Sequence, residues 1–259
     1  MRHLRVLFLT AAALGLATSE ASAWPTSLVE CLLRDARKLV PRSLARLIAE
    51  REKQVLEETQ RFPIELSQPL ALDLPTGQLA PETLSALEAH SAEVLALFKE
   101  KRISDGLIRL GATLRIPADL SDPVLAVGPE GYPAGVAREY YAFIEANLDK
   151  LPVVLTDPAA LKLPRRELPA YWQSLLAKSR LEAPVLRAEL YKGGRVVDHR
   201  SLDWHSPVFA VAEVAYSRAV TGVAATWLAL WREARGDMTR IREPLEILPT
   251  DRPPEGPTP

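Results

Sequence analysis

Thiol chemistry is almost missing from this chain. Cys31 is its only cysteine, which excludes an internal disulfide, a C-x-x-C redox pair and a thiolate-rich metal site. Histidine is nearly as scarce: His3, His90, His199 and His205 are all there is, and no H-E-x-x-H pair exists among them. Neither a G-x-S-x-G elbow nor a G-x-x-x-x-G-K-[ST] loop occurs, so nucleophile-elbow hydrolases and P-loop nucleotide enzymes are set aside. Charge of one sign is absent as well. With 32 Lys and Arg against 33 Asp and Glu the formal net charge is -1, which offers no basic field for nucleic acid, and no nucleic-acid partner is expected. The short basic run at 162–166 reads as a solvated loop, and paired acids such as Glu57 and Glu58 as the wet face of a helix. The longest apolar run near the N-terminus, 6–17, is shorter than the roughly 20 residues a bilayer span needs, so no transmembrane segment is expected.

That short run is one part of a recognisable leader. Arg2 and Arg5 precede it, and Ala21-Ser22-Ala23 follows as an A-x-A cleavage site, which together predict a secretory signal peptide over 1–23 and a periplasmic or secreted product. Cys31 lies beyond this leader and follows the bulky, acidic Glu30, a poor context for lipid attachment, so it is expected to be buried in the first helix. The remaining chain is long enough for one domain with a substantial core, placed over 24–245, followed by a disordered Pro-rich tail over 246–259.

Helical periodicity runs through most of this domain and predicts an all-α fold with one small hairpin insertion. Leu28, Cys31, Leu32 and Ala36 share a face of the first helix. Leu44, Leu47, Ile48, Val55 and Leu56 mark a second, which Pro63 should end. A third starts near Pro81 and carries Leu84, Leu87, Val94, Leu95 and Phe98; His90 lies among polar neighbours on it and reads as a surface residue. A fourth should run from Ser104 into the region of Asp119, a fifth bury Val136, Tyr140, Phe143 and Ile144, and a short sixth cover 168–176. The hairpin is expected around Gly193-Gly194, flanked by Ala188, Leu190, Val196 and Val197, before a long helix over 207–235.

One stretch has more character than its periodicity. Residues 110–125, LGATLRIPADLSDPVL, resemble the pattern L-G-x-x-x-H-x-x-x-D-L-x-x-P-x-H of the zinc-dependent phospholipase C and single-strand-specific nuclease superfamily. Leu110, Gly111, Asp119, Leu120 and Pro123 fit, while Arg115 and Leu125 stand where the two histidines belong. The resemblance implies a secreted all-helical phosphodiesterase holding three zinc ions, one of them bound by the amino nitrogen and carbonyl oxygen of a new N-terminal Trp. Cleavage after Ala23 would make Trp24 that residue. The other implied ligands are mostly gone. No histidine follows in 27–38, Pro63-Ile64 replaces a Pro-Asp pair, and the implied H-x-x-x-E pair falls on Tyr141 and Glu145, so only its carboxylate survives. The last long helix, AYSRAVTGVAATWLALWREA, also resembles the family's Tyr, Ala-Val and paired-Trp pattern.

Zinc sites need three or four N, O or S donors, and Trp24, Asp119 and Glu145 are too few for a trinuclear centre. The sequence therefore predicts a pseudoenzyme of phosphodiesterase descent, whose degenerate cleft of Trp24, Arg115, Asp119, Tyr141 and Glu145 holds no metal and binds a ligand or protein partner of unknown identity. No cofactor is expected on this reading. An Arg115–Asp119–Glu145 cluster is expected to stand in for the lost metal, with Pro117 able to kink the helix and turn Arg115 away. The alternative is a metal-dependent phosphoester hydrolase with a reduced metal complement or with zinc relocated to His199, His205 and Asp203, Asp198 lying nearby; their spacing matches no standard zinc pattern, and the stretch reads rather as a solvated loop.

Overall fold

Proline begins several helices of this chain, because its missing N–H is no loss in a first turn. The computed structural model describes residues 24–65, 72–73, 76–128, 131–155, 157–239 and 247–248; the expected leader and most of the expected tail lie outside them. Helix α1 (Thr26–Ala36) follows Pro25, and α2 (Arg42–Ala49) follows Pro41. Then come α3 (Glu52–Glu65), the strand pair β1 (Leu72–Asp73) and β2 (Gln78–Leu79), α4 (Pro81–Lys99), α5 (Ile103–Ala112), α6 (Arg115–Leu120) and α7 (Val136–Ala146). Strand β3 (Val153–Val154) precedes α8 (Leu168–Leu190), the pair β4 (Tyr191–Lys192) and β5 (Arg195–Val196), α9 (Pro207–Glu233) and β6 (Ile247–Leu248). The fold is all-α, and the described residues include three two-stranded antiparallel pairs. Ile247 and Leu248, at the head of the stretch assigned to the tail, pair with Val154 and Val153.

Helix boundaries depart from the periodicity where a side chain changes the local backbone pattern. The expected second helix is two, α2 and α3. At the break Arg51 N bonds Ile48 O, and the Arg51 guanidinium donates to the Leu47 carbonyl thereby left over. Helix α3 runs two residues past Pro63 before it stops. The expected fourth helix is likewise divided into α5 and α6, with Thr113 and Leu114 between them. Ile116 N bonds the Thr113 carbonyl, so Pro117 falls in the first turn of a new helix, and the carbonyl its N–H would have reached is already satisfied. The short sixth helix is in fact α8, which continues to Leu190 through Pro184. Pro184 is exposed there, and its missing N–H frees the Arg180 carbonyl. Ala188 and Leu190 therefore belong to α8, and the hairpin shrinks to Tyr191–Lys192 and Arg195–Val196 around Gly193 and Gly194, both at positive φ.

Helix α9 is the centre of the core. It is apolar on all sides, and α1, α6 and α8 pack around it. Among the described residues it is the one helix long and apolar enough to cross a membrane, and 83% of that apolar window is buried by its neighbours, which accounts for its composition without a bilayer. Small residues let the neighbours approach. A Cβ on Gly222 would lie 2.8 Å from Pro117 Cβ, so α6 rests directly on the backbone of α9. In the same way a Cβ on Gly111 would meet Val55 at 2.6 Å, seating α5 against α3. Cys31 is only half-buried, packed against the core rather than within it. His90, read as a surface residue, is buried at 7% exposure between α4 and α5, and burial beside the Arg109 guanidinium lowers its pKa to about 4.

Candidate functional site

The last carbonyls of a helix lie beyond its own ladder; at the end of α6 Ser121 N and Asp122 N take those of Ala118 and Asp119, and side chains add further donors. Side chains from four parts of the chain reach this end of the helix and the turn after it. The Trp24 indole N–H donates to Ala118 O at 3.0 Å, and Ser179 Oγ of α8 to Leu120 O at 2.8 Å. Arg218 Nη2 of α9 reaches Ser121 O at 3.3 Å, and the Tyr132 hydroxyl lies 3.2 Å from Pro123 O. Segment 118–123 is thus the junction where Trp24 meets α8 and α9.

The charged groups of this junction are paired within the protein. Arg115 Nε donates to Asp119 Oδ2 at 2.8 Å, with the two side chains only 14% and 13% exposed. Burial pushes the Asp119 carboxyl up, against the opposing pull of Arg115. Asp122 is fully buried. Its Oδ1 accepts Val124 N at 2.8 Å and its Oδ2 the Tyr141 hydroxyl at 2.7 Å. Even so, burial, reinforced by the Asp119 charge, raises Asp122 to about 7. Arg218 clamps Glu182 with both terminal nitrogens, at 2.8 and 2.5 Å. Burial and the nearby acids drive the Tyr140 and Tyr141 phenols well above their ordinary range, so both stay protonated, and Tyr141 is the one that donates. Four buried atoms here, Asp119 Oδ1, Ser121 Oγ, the Tyr140 hydroxyl and Arg218 Nε, have no hydrogen-bond partner among the described residues.

The sequence-derived residues divide between places. Trp24, Arg115, Asp119 and Tyr141 meet around α6. Glu145 does not join them: it stands exposed near the end of α7 and accepts Ser27 Oγ at 3.0 Å, one turn beyond Tyr141 and outside the dry interior. The second acid of the cluster is Asp122, which is not among the residues the resemblance singles out. Its signal was present in the same motif, an acid three residues after Asp119 and directly before Pro123, suited to closing a turn. Glu182 and Arg218 carried no signal, because each sits on a long helix whose pattern is set by its apolar neighbours.

His199, His205 and Asp203 do not form one group either. His199 Nδ1 lies 2.8 Å from Glu139 Oε2, and Asp198 Oδ1 lies 3.5 Å from the same nitrogen. Hydrogen bonds from the His199 ring and backbone hold Glu139 down at about 2. His205 instead stacks on the exposed Trp204, ring centres 3.5 Å apart, and Asp203 caps its backbone N–H at 2.9 Å.

The trinuclear zinc centre implied by the resemblance does not fit the α6 junction. One oxygen of Asp119 is engaged by a guanidinium, both oxygens of Asp122 are engaged, and Arg115 stands at the motif position where the resemblance places an imidazole donor. No family model matches this chain, no curated protein matches it by sequence and no solved structure matches its fold.

Proposed function

We propose that this chain is an exported helical protein of phosphodiesterase descent whose former metal centre has become a structural network, leaving a non-catalytic module that binds a ligand or protein partner. The observation that carries this reading is the Arg115–Asp119 pair, 2.8 Å long and largely removed from water. Phosphoester hydrolysis needs a metal or an equivalent to hold the phosphate and to activate water. At this junction the positive charge is a guanidinium, which cannot deprotonate or lower the pKa of a bound water by ligation. The convergence of Trp24, Asp119 and Tyr141 on one short helix supports the descent, since the resemblance assigns all three positions to one site. Neither acid offers a free, solvent-facing oxygen to serve as general base.

The test is hydrolysis of an activated phosphodiester, bis(p-nitrophenyl) phosphate, by the purified mature protein with zinc supplied. The expected result is a background rate identical for the natural chain and for Asp119→Asn. Turnover that Asp119→Asn abolishes, in a variant with an unchanged circular dichroism spectrum, would overturn the proposal in favour of an enzyme.

A further inference from the structure

The group formed by Glu139, Asp198 and His199 lies away from the α6 junction and has no part in the network there. Its three donor atoms, Glu139 Oε2, Asp198 Oδ1 and His199 Nδ1, all fall within 4.8 Å of one another. Metal–donor bonds of about 2.0–2.2 Å in a tetrahedral shell place neighbouring donors roughly 3.4 Å apart. The separations of 2.8 and 3.5 Å around His199 Nδ1 straddle that value, so side-chain rotation has to open the shorter and bring Glu139 Oε2 and Asp198 Oδ1, which lie within 4.8 Å of each other, to the same spacing.

Each donor is also aimed by contacts beyond the group. Arg138 Nε and Nη2 hold Glu139 Oε1 at 3.2 and 3.0 Å, which turns Oε2 toward the imidazole. The His199 backbone N–H donates to that Oε2 at 3.2 Å, fixing the ring's approach. Asp198 closes its own turn, with Oδ1 accepting Arg200 N at 2.9 Å and its carbonyl accepting Ser201 Oγ at 2.7 Å. Outer contacts of this kind orient ligands and raise affinity in metal sites. Two carboxylates and one neutral imidazole bring two negative charges to the group, and Arg138 pairs with Glu139. The Asp198 side chain is 63% exposed, so the group opens to solvent and leaves room for water ligands.

We propose that Glu139, Asp198 and His199 form a binding site for one first-row divalent cation of the zinc class. The ion takes the place of the hydrogen between Nδ1 and Oε2, and the imidazole carries its proton on Nε2 instead. The mixed nitrogen and oxygen donors suit Zn²⁺, and also Co²⁺ and Ni²⁺, over Ca²⁺ or Mg²⁺, which favour oxygen alone. Bound there, the ion ties the 198–201 turn, between the β4–β5 hairpin and α9, to α7.

The experiment is calorimetric titration of the chelator-stripped mature chain with zinc chloride, repeated with Co²⁺ so that the visible absorption of the bound ion reports its donors. The expected result is saturable binding of one ion per chain, weakened at least about tenfold by His199→Ala and by Asp198→Asn, and unaltered by His205→Ala. Absence of saturable binding, or equal affinity in His199→Ala, overturns the proposal, as does loss of binding in His205→Ala. Should His199→Ala fail to fold, the exposed Asp198→Asn decides the matter, and an unchanged affinity there overturns it too.

Discussion

Arg115 and Asp119 are each affordable inside the protein only because the other is there. Removing one partner of a buried pair leaves the other charged and desolvated, whereas replacing both by apolar groups removes the cost on each side. Arg115→Leu is therefore expected to destabilise the fold by about 3–5 kcal/mol. The double change Arg115→Leu with Asp119→Leu should recover most of that loss in a urea melt. A single variant as stable as the natural chain would show that the pair carries no such role. Asp122 and His90 are buried titratable groups with opposite effects on the response to pH. Asp122 is raised to about 7, so its neutral form stabilises the fold at low pH and this contribution is lost as pH rises from its unfolded value of 3.8 through 7. His90 is lowered to about 4, so its contribution is present above 6.5 and is lost as pH falls toward 4. Asp122→Asn keeps the neutral state at every pH. Relative to the natural chain it should gain on the order of 3 kcal/mol between pH 4 and pH 8. Thermal melts across that range check it, and a difference that does not change with pH would remove Asp122 from the account of acid and alkaline stability.

Helix α6 shows how a short element is positioned by its neighbours rather than by its own propensity. Pro117 lies against Gly222 of α9, where an added Cβ would come within 2.8 Å of Pro117 and 3.1 Å of Leu175. Gly222→Ala would favour the helix by up to about 1 kcal/mol on propensity alone. Overpacking by one methyl in a close-packed interior costs about 1–3 kcal/mol, so a net loss of stability is expected, read as a lower Tm. An unchanged or higher Tm would mean that α6 shifts freely on α9. Much of this arrangement was legible in the sequence. The long apolar helix, the Pro81 start and the i, i+4 spacing of Arg115 and Asp119 follow from local periodicity, which one helix face records directly. The breaks at Arg51 and Thr113 were not legible, because they depend on which carbonyl a side chain happens to cap. Nor were Glu182 and Arg218: their pairing across α8 and α9 is a tertiary contact between positions 36 residues apart. Glu145 shares a face with Tyr141, yet that face reaches water at Glu145 while Phe143 and Ile144 stay buried, and periodicity alone does not say where a face emerges.

Across the molecule, the core built on α9 and the α6 junction join the first described residue to the last long helix. Trp24 is 3% exposed and holds α6 through its indole, so the N-terminal end of the described chain belongs to the core. If export removes 1–23, as the leader pattern predicts, mass spectrometry of the secreted or periplasmic protein should find Trp24 at its N-terminus. Any other first residue contradicts that processing. The α6 junction and the Glu139–Asp198–His199 group also make separable demands on metal. Elemental analysis of the purified natural chain beside Asp119→Asn addresses the replacement of a metal centre by Arg115. The same metal content in both proteins, whatever that content is, is the expected result. Stoichiometric zinc in the natural chain that disappears in a folded Asp119→Asn would contradict it, because Asp119 would then be a ligand and not the partner of a guanidinium.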